Sequence, residues 1–380
     1  MSGGEHSRIP PSSSARRQQC PASTTMEEGF PETEDGEAAA EGTAAHWAVS
    51  ETLSGRMVDV GEVAPNGVRL TAEMIRAADQ MYADVALELA PYGMRPEQGD
   101  VEQRIAIPRV HAESWGTPDY TVWVPGTRGL HLFLYDFKFG HRIVEVFENE
   151  QCVEYVAGAL ARVLDSRGYS DQDINVTIKI VQPRAYHKDG AIRSWSFKAS
   201  DIRALINRAS NAAHEALGPN PKAHVGPECR DCRARHACPT LQKAALSACD
   251  VAGKAQPFDL PPAALAHEYL TLKRHAALLS ARLTGIEEQC LSLARAGAIL
   301  PGLRIEHGNG RMRWNIPATQ VIAIGAALGV NVAQPPEVLT PKQAVEAGLP
   351  EATLAGLTTT PRGAATLAED DGSTARRLFA

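Results

Sequence analysis

The stretch from Thr121 to Lys138 constrains the fold more than any other part of the chain. Thr-Val-Trp-Val (121–124) and His-Leu-Phe-Leu-Tyr (131–135) are β-branched and aromatic runs that bracket the turn cluster Pro-Gly-Thr-Arg-Gly. That pattern predicts a β-hairpin. Side chains on a strand alternate between faces, so continuing into Asp136-Phe137-Lys138 puts Asp136 and Lys138 on one side and sends Phe137 into the core. Gly116-Thr117-Pro118-Asp119 stands just ahead of the first run, which brings a second acid into the same neighbourhood.

Two acids and a lysine at the ends of neighbouring strands suit phosphodiester hydrolysis. That reaction needs hard oxygen ligands for Mg²⁺ or Mn²⁺ and a nearby ammonium. Asp119 and Asp136 would be the ligands and Lys138 their partner. Alone, Asp-x-Lys is equally the solvent face of an exposed strand. Two flanking segments add to it. In Glu41-Gly42-Thr43-Ala44-Ala45-His46 the glycine and threonine open a helix running through Trp47 to Leu53, with His46 about a turn inside it. A neutral imidazole there offers a further metal ligand. From Glu148 an apolar-periodic helix begins, and Gln151 and Tyr155, at i and i+4, share one face.

In this order, Gly-x-x-x-His (Gly42, His46), Gly-x-x-Asp (Gly116, Asp119), Asp-x-Lys (Asp136, Lys138) and Gln-x-x-x-Tyr (Gln151, Tyr155) resemble the motif series of RecB-like nucleases in the PD-(D/E)XK superfamily. Pro118-Asp119 supplies the literal "PD". The resemblance implies that His46, Asp119 and Asp136 bind a divalent metal and that Lys138 serves catalysis. It gives Gln151 and Tyr155 to support of the active site and DNA contact. Glu102 resembles the acid that often opens the preceding strand, in a supporting role. The implied fold is α/β: a restriction-endonuclease-like core with a mixed central sheet flanked by helices, and a mainly helical C-terminal extension.

The cysteines form a second constellation. Cys229-Arg-Asp-Cys232-Arg-Ala-Arg-His-Ala-Cys238 is a C-x₂-C-x₅-C cluster, and three thiolates want a fourth ligand. Cys20 is the distant candidate, and His236 or His224 the local one. Four cysteines suit a [4Fe-4S] cluster or tetrahedral Zn²⁺, and three with a histidine suit Zn²⁺. One cysteine before the core and three after it resembles the iron-sulfur subgroup of RecB-like nucleases. There the cluster is structural, which implies a staple between the N-terminal segment and the far end of the domain. Cys152, Cys249 and Cys290 read as small unpaired residues. The opening residues lack an apolar run, so a reducing cytoplasm and free thiols are expected.

Composition fits more than one structural unit: 380 residues, 44% of them hydrophobic, exceed the usual single domain. The expected divisions are a mobile segment over 1–19, a nuclease domain over 20–250, and a helical arm with a small hairpin and helix region over 251–380. Elements are expected at Met74 to Leu89 (helix), Asn175 to Gln182 and Ser194 to Lys198 (strands), Asp201 to Leu217 (helix) and Pro261 to Ala296 (helix). Leu303 to Asn315 reads as a hairpin, and Thr319 to Leu328 and Leu339 to Ala347 as helices. The longest apolar stretch, 321–333, is too short to span a membrane. A net charge of −7 argues against broad charge-driven nucleic-acid binding but leaves room for a local basic rim. Its candidates are Arg193, Lys198, Arg203, Arg208, Arg230, Arg233 and Arg235.

The layout as a whole resembles a phage- and prophage-encoded family of PD-(D/E)XK proteins, which implies work on phage DNA in a bacterial cytoplasm. DNA ends or single strands, and a phage recombination or annealing protein, are the implied partners. Three functions remain open at this point. The chain is an active metal-dependent exonuclease, a DNA-binding accessory that kept the fold but cuts poorly, or a zinc-stabilised binding module.

Overall fold

The computed structural model describes residues 7–30, 36–126, 129–167, 169–252 and 261–303. A five-stranded mixed sheet lies at its centre, in the order β1-β4-β5-β6-β7. These strands are β1 (Asp100–Val101), β4 (Tyr120–Pro125), β5 (Leu130–Phe137), β6 (Ile174–Val181) and β7 (Ile192–Lys198). A two-residue pair, β2 (Ile105–Ala106) with β3 (Trp115–Gly116), stands beside it. The predicted hairpin is β4 with β5, antiparallel, with Tyr120 opposite Tyr135 and Pro125 opposite Leu130. Between β5 and β6 the pairing is parallel. Parallel neighbours need a long crossover, and α5 (Glu150–Arg167) is its helix.

Alternation along β5 sorts the core into two layers. Leu132 and Leu134 face α5 and α6 (Arg203–Ala216) in one cluster. Phe133, Tyr135 and Phe137 face α3 (Glu37–Leu53) and α4 (Ala72–Leu89) in the other. Helix α4 shows why these residues fold as they do. The Thr71 side chain accepts from the Met74 backbone N–H at 3.2 Å, which satisfies one orphan donor of the first turn. Met74, Ala77, Met81, Val85 and Leu89 then recur on the buried face. Lys179 of β6 ties the helix down, 2.7 Å from Asp84 and 2.6 Å from Glu88.

Three expectations change. The segment 1–19 is not a mobile lead-in over its described part. Pro11–Ser13 forms a 3₁₀ turn, followed by α1 (Ser14–Gln19) and α2 (Ser23–Glu27), and Ile9 and Arg17 are fully buried. Arg17 forms an ion pair with Glu154 of α5, both side chains without solvent exposure, and Ser14 Oγ donates to Glu154 at 2.5 Å. The serine- and arginine-rich text reads as solvated because nothing local announces a buried carboxylate over a hundred residues away. Helix α3 starts at Glu37, not at Gly42, since Ala38 to Ala40 are good helix formers. The acidic stretch to Glu41 therefore ends inside a helix.

The boundary at 250 is also displaced. The chain divides into Met1–Pro301 and Gly302–Ala380, so the long helix α8 (Pro262–Arg295) belongs with the first unit. After α7 (Pro239–Ala252) it packs Leu278 and Ala281 against Leu241 and Cys229. Arg282 donates to the Arg235 carbonyl at 3.1 Å and also to that of His236. The expected hairpin after Leu303, the two helices beyond it and the apolar run 321–333 lie outside the described residues. No helix among the described residues is long and apolar enough to cross a membrane.

Removing one member of a buried ion pair strands the other charge, at about 3–5 kcal/mol. Glu154→Leu is expected to lower unfolding stability by roughly that amount. Arg17→Met combined with Glu154→Leu should recover most of the loss, as read from urea denaturation midpoints.

Candidate metal centre and cysteine cavity

Continuing the β4–β5 register one step past Tyr120 and Tyr135 sets Asp119 opposite Asp136, and directly opposed side chains share a face. The Phe137 backbone N–H donates to Asp119 Oδ2 at 2.6 Å, which fixes that carboxylate across the strand pair. Asp119 Oδ1 lies 3.2 Å from His46 Nδ1. The imidazole reaches it from α3, edge-on to the Phe137 ring. Phe137 thus serves twice: its ring seats the histidine and its amide holds the acid.

Asp136 is only 2% exposed. Lys138 Nζ donates to its Oδ1 at 3.0 Å, and Gln151 Nε2 donates to the same oxygen at 3.2 Å. Oδ2 lies 2.9 Å from Lys138 Nζ but has no hydrogen bond of acceptable geometry. Gln151 also bridges outward, accepting from Lys138 and donating to Tyr155 Oη, each at 3.4 Å. The i, i+4 pair on α5 therefore meets Asp-x-Lys as the sequence spacing placed it. Gly116 is required here by close approach, since a Cβ would stand 2.8 Å from Tyr155 and 2.9 Å from Pro11.

Charges in this corner act on one another. Burial pushes the Asp136 carboxyl up, and Asp119 adds to this against the pull of Lys138. Burial acts on Asp119 the same way, but His46, Lys138 and the Phe137 amide outweigh it and hold that acid below its ordinary value. Burial would lower His46; Asp119 reverses this and raises it. Lys138 is likewise raised, because Asp136 and Asp119 overcome its desolvation.

The ligand grouping differs from the expected His46, Asp119 and Asp136. Among the described residues, His46, Glu102 and Asp119 are the three that bring ligand atoms within 4.8 Å of one another. Glu102 follows β1, whose pairing with β4 puts Val101 opposite Tyr120, and its N–H donates to the Asp119 carbonyl at 3.0 Å. Its φ of 44° is a left-handed conformation that a non-glycine residue adopts at a cost. The motif resemblance marks Glu102 only for a supporting role, because β1 is two residues long and its register is tertiary. Asp136 faces the same corner from the Lys138 side. An imidazole and two carboxylates, with a third carboxylate adjoining, are a donor set that fits a hard divalent cation.

The expected basic rim thins out. Arg193 is 3% exposed and donates to Gln182 Oε1 and the Val144 carbonyl, at 2.8 and 2.9 Å, bracing the loop after β5. Arg203 pairs with Asp171, and Arg235 with Glu288.

Cys20, Cys229, Cys232 and Cys238 line one cavity. Cys20 caps the end of α1, so the burial of Arg17 also delivers this thiol. Backbone N–H groups point at the sulfurs: His224 to Cys20, Gly226 to Cys229 and Leu241 to Cys238, each at 3.4 Å. Burial pushes the Cys20, Cys229 and Cys232 thiols up, Cys232 to about 12. Thiolates here need a compensating cation. His224 borders the cavity, while His236 stacks edge-on against Phe30 instead. Tetrahedral zinc at about 2.3 Å from each sulfur draws them to about 3.8 Å from one another. Among the described groups, no three of these cysteines bring their sulfurs within 4.8 Å of one another.

If the corner binds a divalent cation, protons compete with it. Because Asp119 raises the His46 pKa above its ordinary 6.5, imidazolium persists to higher pH than usual. Mn²⁺ affinity measured by calorimetry is then expected to fall as pH drops through that raised value. Asp119→Asn should weaken binding by at least about tenfold, or ~1.4 kcal/mol.

The chain matches the family described as "Protein of unknown function (DUF2800)" over residues 6–373. That span covers most of its length, and the chain belongs to this family.

Proposed function

We propose that this protein is a metal-dependent deoxyribonuclease with a PD-(D/E)XK core, acting on DNA ends as an exonuclease in phage recombination, replication or end processing. One observation carries the reading: Asp136, 2% exposed and ion-paired with Lys138, adjoins the corner formed by His46, Glu102 and Asp119. A scaffold gains nothing from gathering mutually repelling carboxylates in one corner, whereas a cation relieves their repulsion. Mg²⁺ or Mn²⁺ held there would neutralise charge on the scissile phosphate and acidify water.

The side chains divide the remaining work. Asp119, Glu102 and His46 provide an open ligand face, since Asp119 and His46 are 15% and 32% exposed at the side chain. Lys138, 25% exposed and kept cationic by the two aspartates, orients water and stabilises charge gathering on the phosphate. Gln151 holds both Lys138 and Asp136 in place. Burial raises the Tyr155 hydroxyl well above its usual value, so it stays a neutral partner of Gln151. The four cysteines are proposed to hold a [4Fe-4S] cluster, with Zn²⁺ as the smaller alternative. Its work is to fasten α1 to the segment after α6.

A second reading rests on the closure of this network. Asp136, Lys138 and Gln151 already bond to one another, and Asp119 to His46 and the Phe137 amide, as in a DNA-binding accessory that cuts poorly. Cleavage separates the two. With Mn²⁺ present, the wild type should shorten end-labelled linear DNA and spare closed circles. Lys138→Ala should reduce this by at least about 10²-fold with an unchanged circular dichroism spectrum; equal activity would remove the main support of the nuclease reading, and a wild type that cuts neither form would leave the accessory reading standing. Cys232→Ser should lose bound iron and solubility, and a colourless, fully active, equally stable variant would remove the cluster from the proposal.

A further inference from the structure

Helix α8 has two unlike faces. Leu278, Ala281 and Gly285 are buried against the segment that carries the cysteines. On another face, Leu265, Tyr269, Leu272, Leu279, Leu283, Ile286 and Leu293 are all exposed, Leu283 at 67% and Leu265 at 57%. With Ala276 and Cys290 they recur at alternating steps of four and three without a break. That is the a/d seam of a coiled coil, with leucine at four of its five d positions. An amphipathic surface helix would bury such a stripe on its own domain, but this helix already uses a different face for that purpose.

We propose that α8 pairs with α8 of a second copy in a parallel, two-stranded coiled coil. Three observations select this occupant. At about 1.5 Å per residue and ~10 Å across, the seam offers a footprint on the order of 400 Å², within the range of the largest patch an ordinary monomer exposes. Two copies together approach the roughly 1,000 Å² of a weak specific interface, so the dimer is reversible. Charges complement each other in parallel register, where each g position meets the following e position of the other helix. Glu268 then meets Lys273 of the second copy. Finally, Leu278, Ala281, Arg282 and Gly285 dock the globular domain on the flank beside the d positions. In a parallel pair that flank points to opposite sides for the two copies; antiparallel helices would drive both domains into the same space.

Sedimentation equilibrium of the full-length protein tests the pairing. The wild type is expected to show a monomer–dimer equilibrium in the micromolar range. Leu272→Glu combined with Leu283→Glu should weaken it by at least about a hundredfold without changing the helical signal, because both side chains are exposed. Tyr269→Glu should act in the same direction and guards against a local effect of the first pair. A wild-type monomer would leave the seam to some other protein and end the proposal, as would a dimer that survives the double substitution. Orientation has its own readout. Cys290 sits at an a position, opposite itself in a parallel pair, so mild oxidation should link two chains in the wild type but not in Cys290→Ser. A dimer without that link would overturn the parallel arrangement.

Discussion

Asp136 sits at the end of β5 with almost no exposure, and a buried carboxylate is tolerated only where neighbours compensate it. Every element around the corner contributes to that compensation. The strand brings Lys138 round to its own face, α5 supplies Gln151, and β4 delivers Asp119, itself held by the Phe137 amide and His46. The two acids respond in opposite directions, Asp136 upward and Asp119 downward. The difference follows from their surroundings: His46, Lys138 and the Phe137 amide outweigh the burial of Asp119, while burial and the neighbouring Asp119 outweigh Lys138 at Asp136.

A second set of buried charges organises the N-terminal segment. Arg17 and Glu154 neutralise each other inside the protein, and the Arg17 guanidinium also donates to the Pro10 carbonyl and Ser13. That anchor ends α1 at Cys20, next to the cavity lined by Cys229, Cys232 and Cys238. Arg16 reaches Glu27, whose other oxygen accepts from the Arg233 backbone. Even before any cluster is considered, the two ends of the domain are joined by polar contacts. Helix α8 then closes over the same region through Arg282 and Gly285, so the cysteine segment is packed from both sides.

Much of this was legible in the amino-acid sequence, for reasons tied to local periodicity. Alternation over 121–138 gave the hairpin and the shared face of Asp136 and Lys138. The i, i+4 spacing gave Gln151 and Tyr155 on one face of α5, and 3.6-residue recurrence gave the buried face of α4. The C-x₂-C-x₅-C spacing singled out three cysteines that, with the distant Cys20, line one cavity.

Contacts without a local signature were decided by tertiary structure. Glu102 joins His46 and Asp119 only because a two-residue strand pairs with β4 and its backbone turns left-handed. Arg17 is buried only because α5 presents Glu154 to it, and Arg193, read as a rim residue, is consumed by Gln182 and Val144. The division of α8 into a docked face and an exposed seam is of the same kind. The sequence alone determined the periods that make strands, helices and heptads, since these depend on neighbours along the chain. Which charges meet, and which apolar stripe stays uncovered, depended on partners far away in sequence, and only the folded arrangement supplies those.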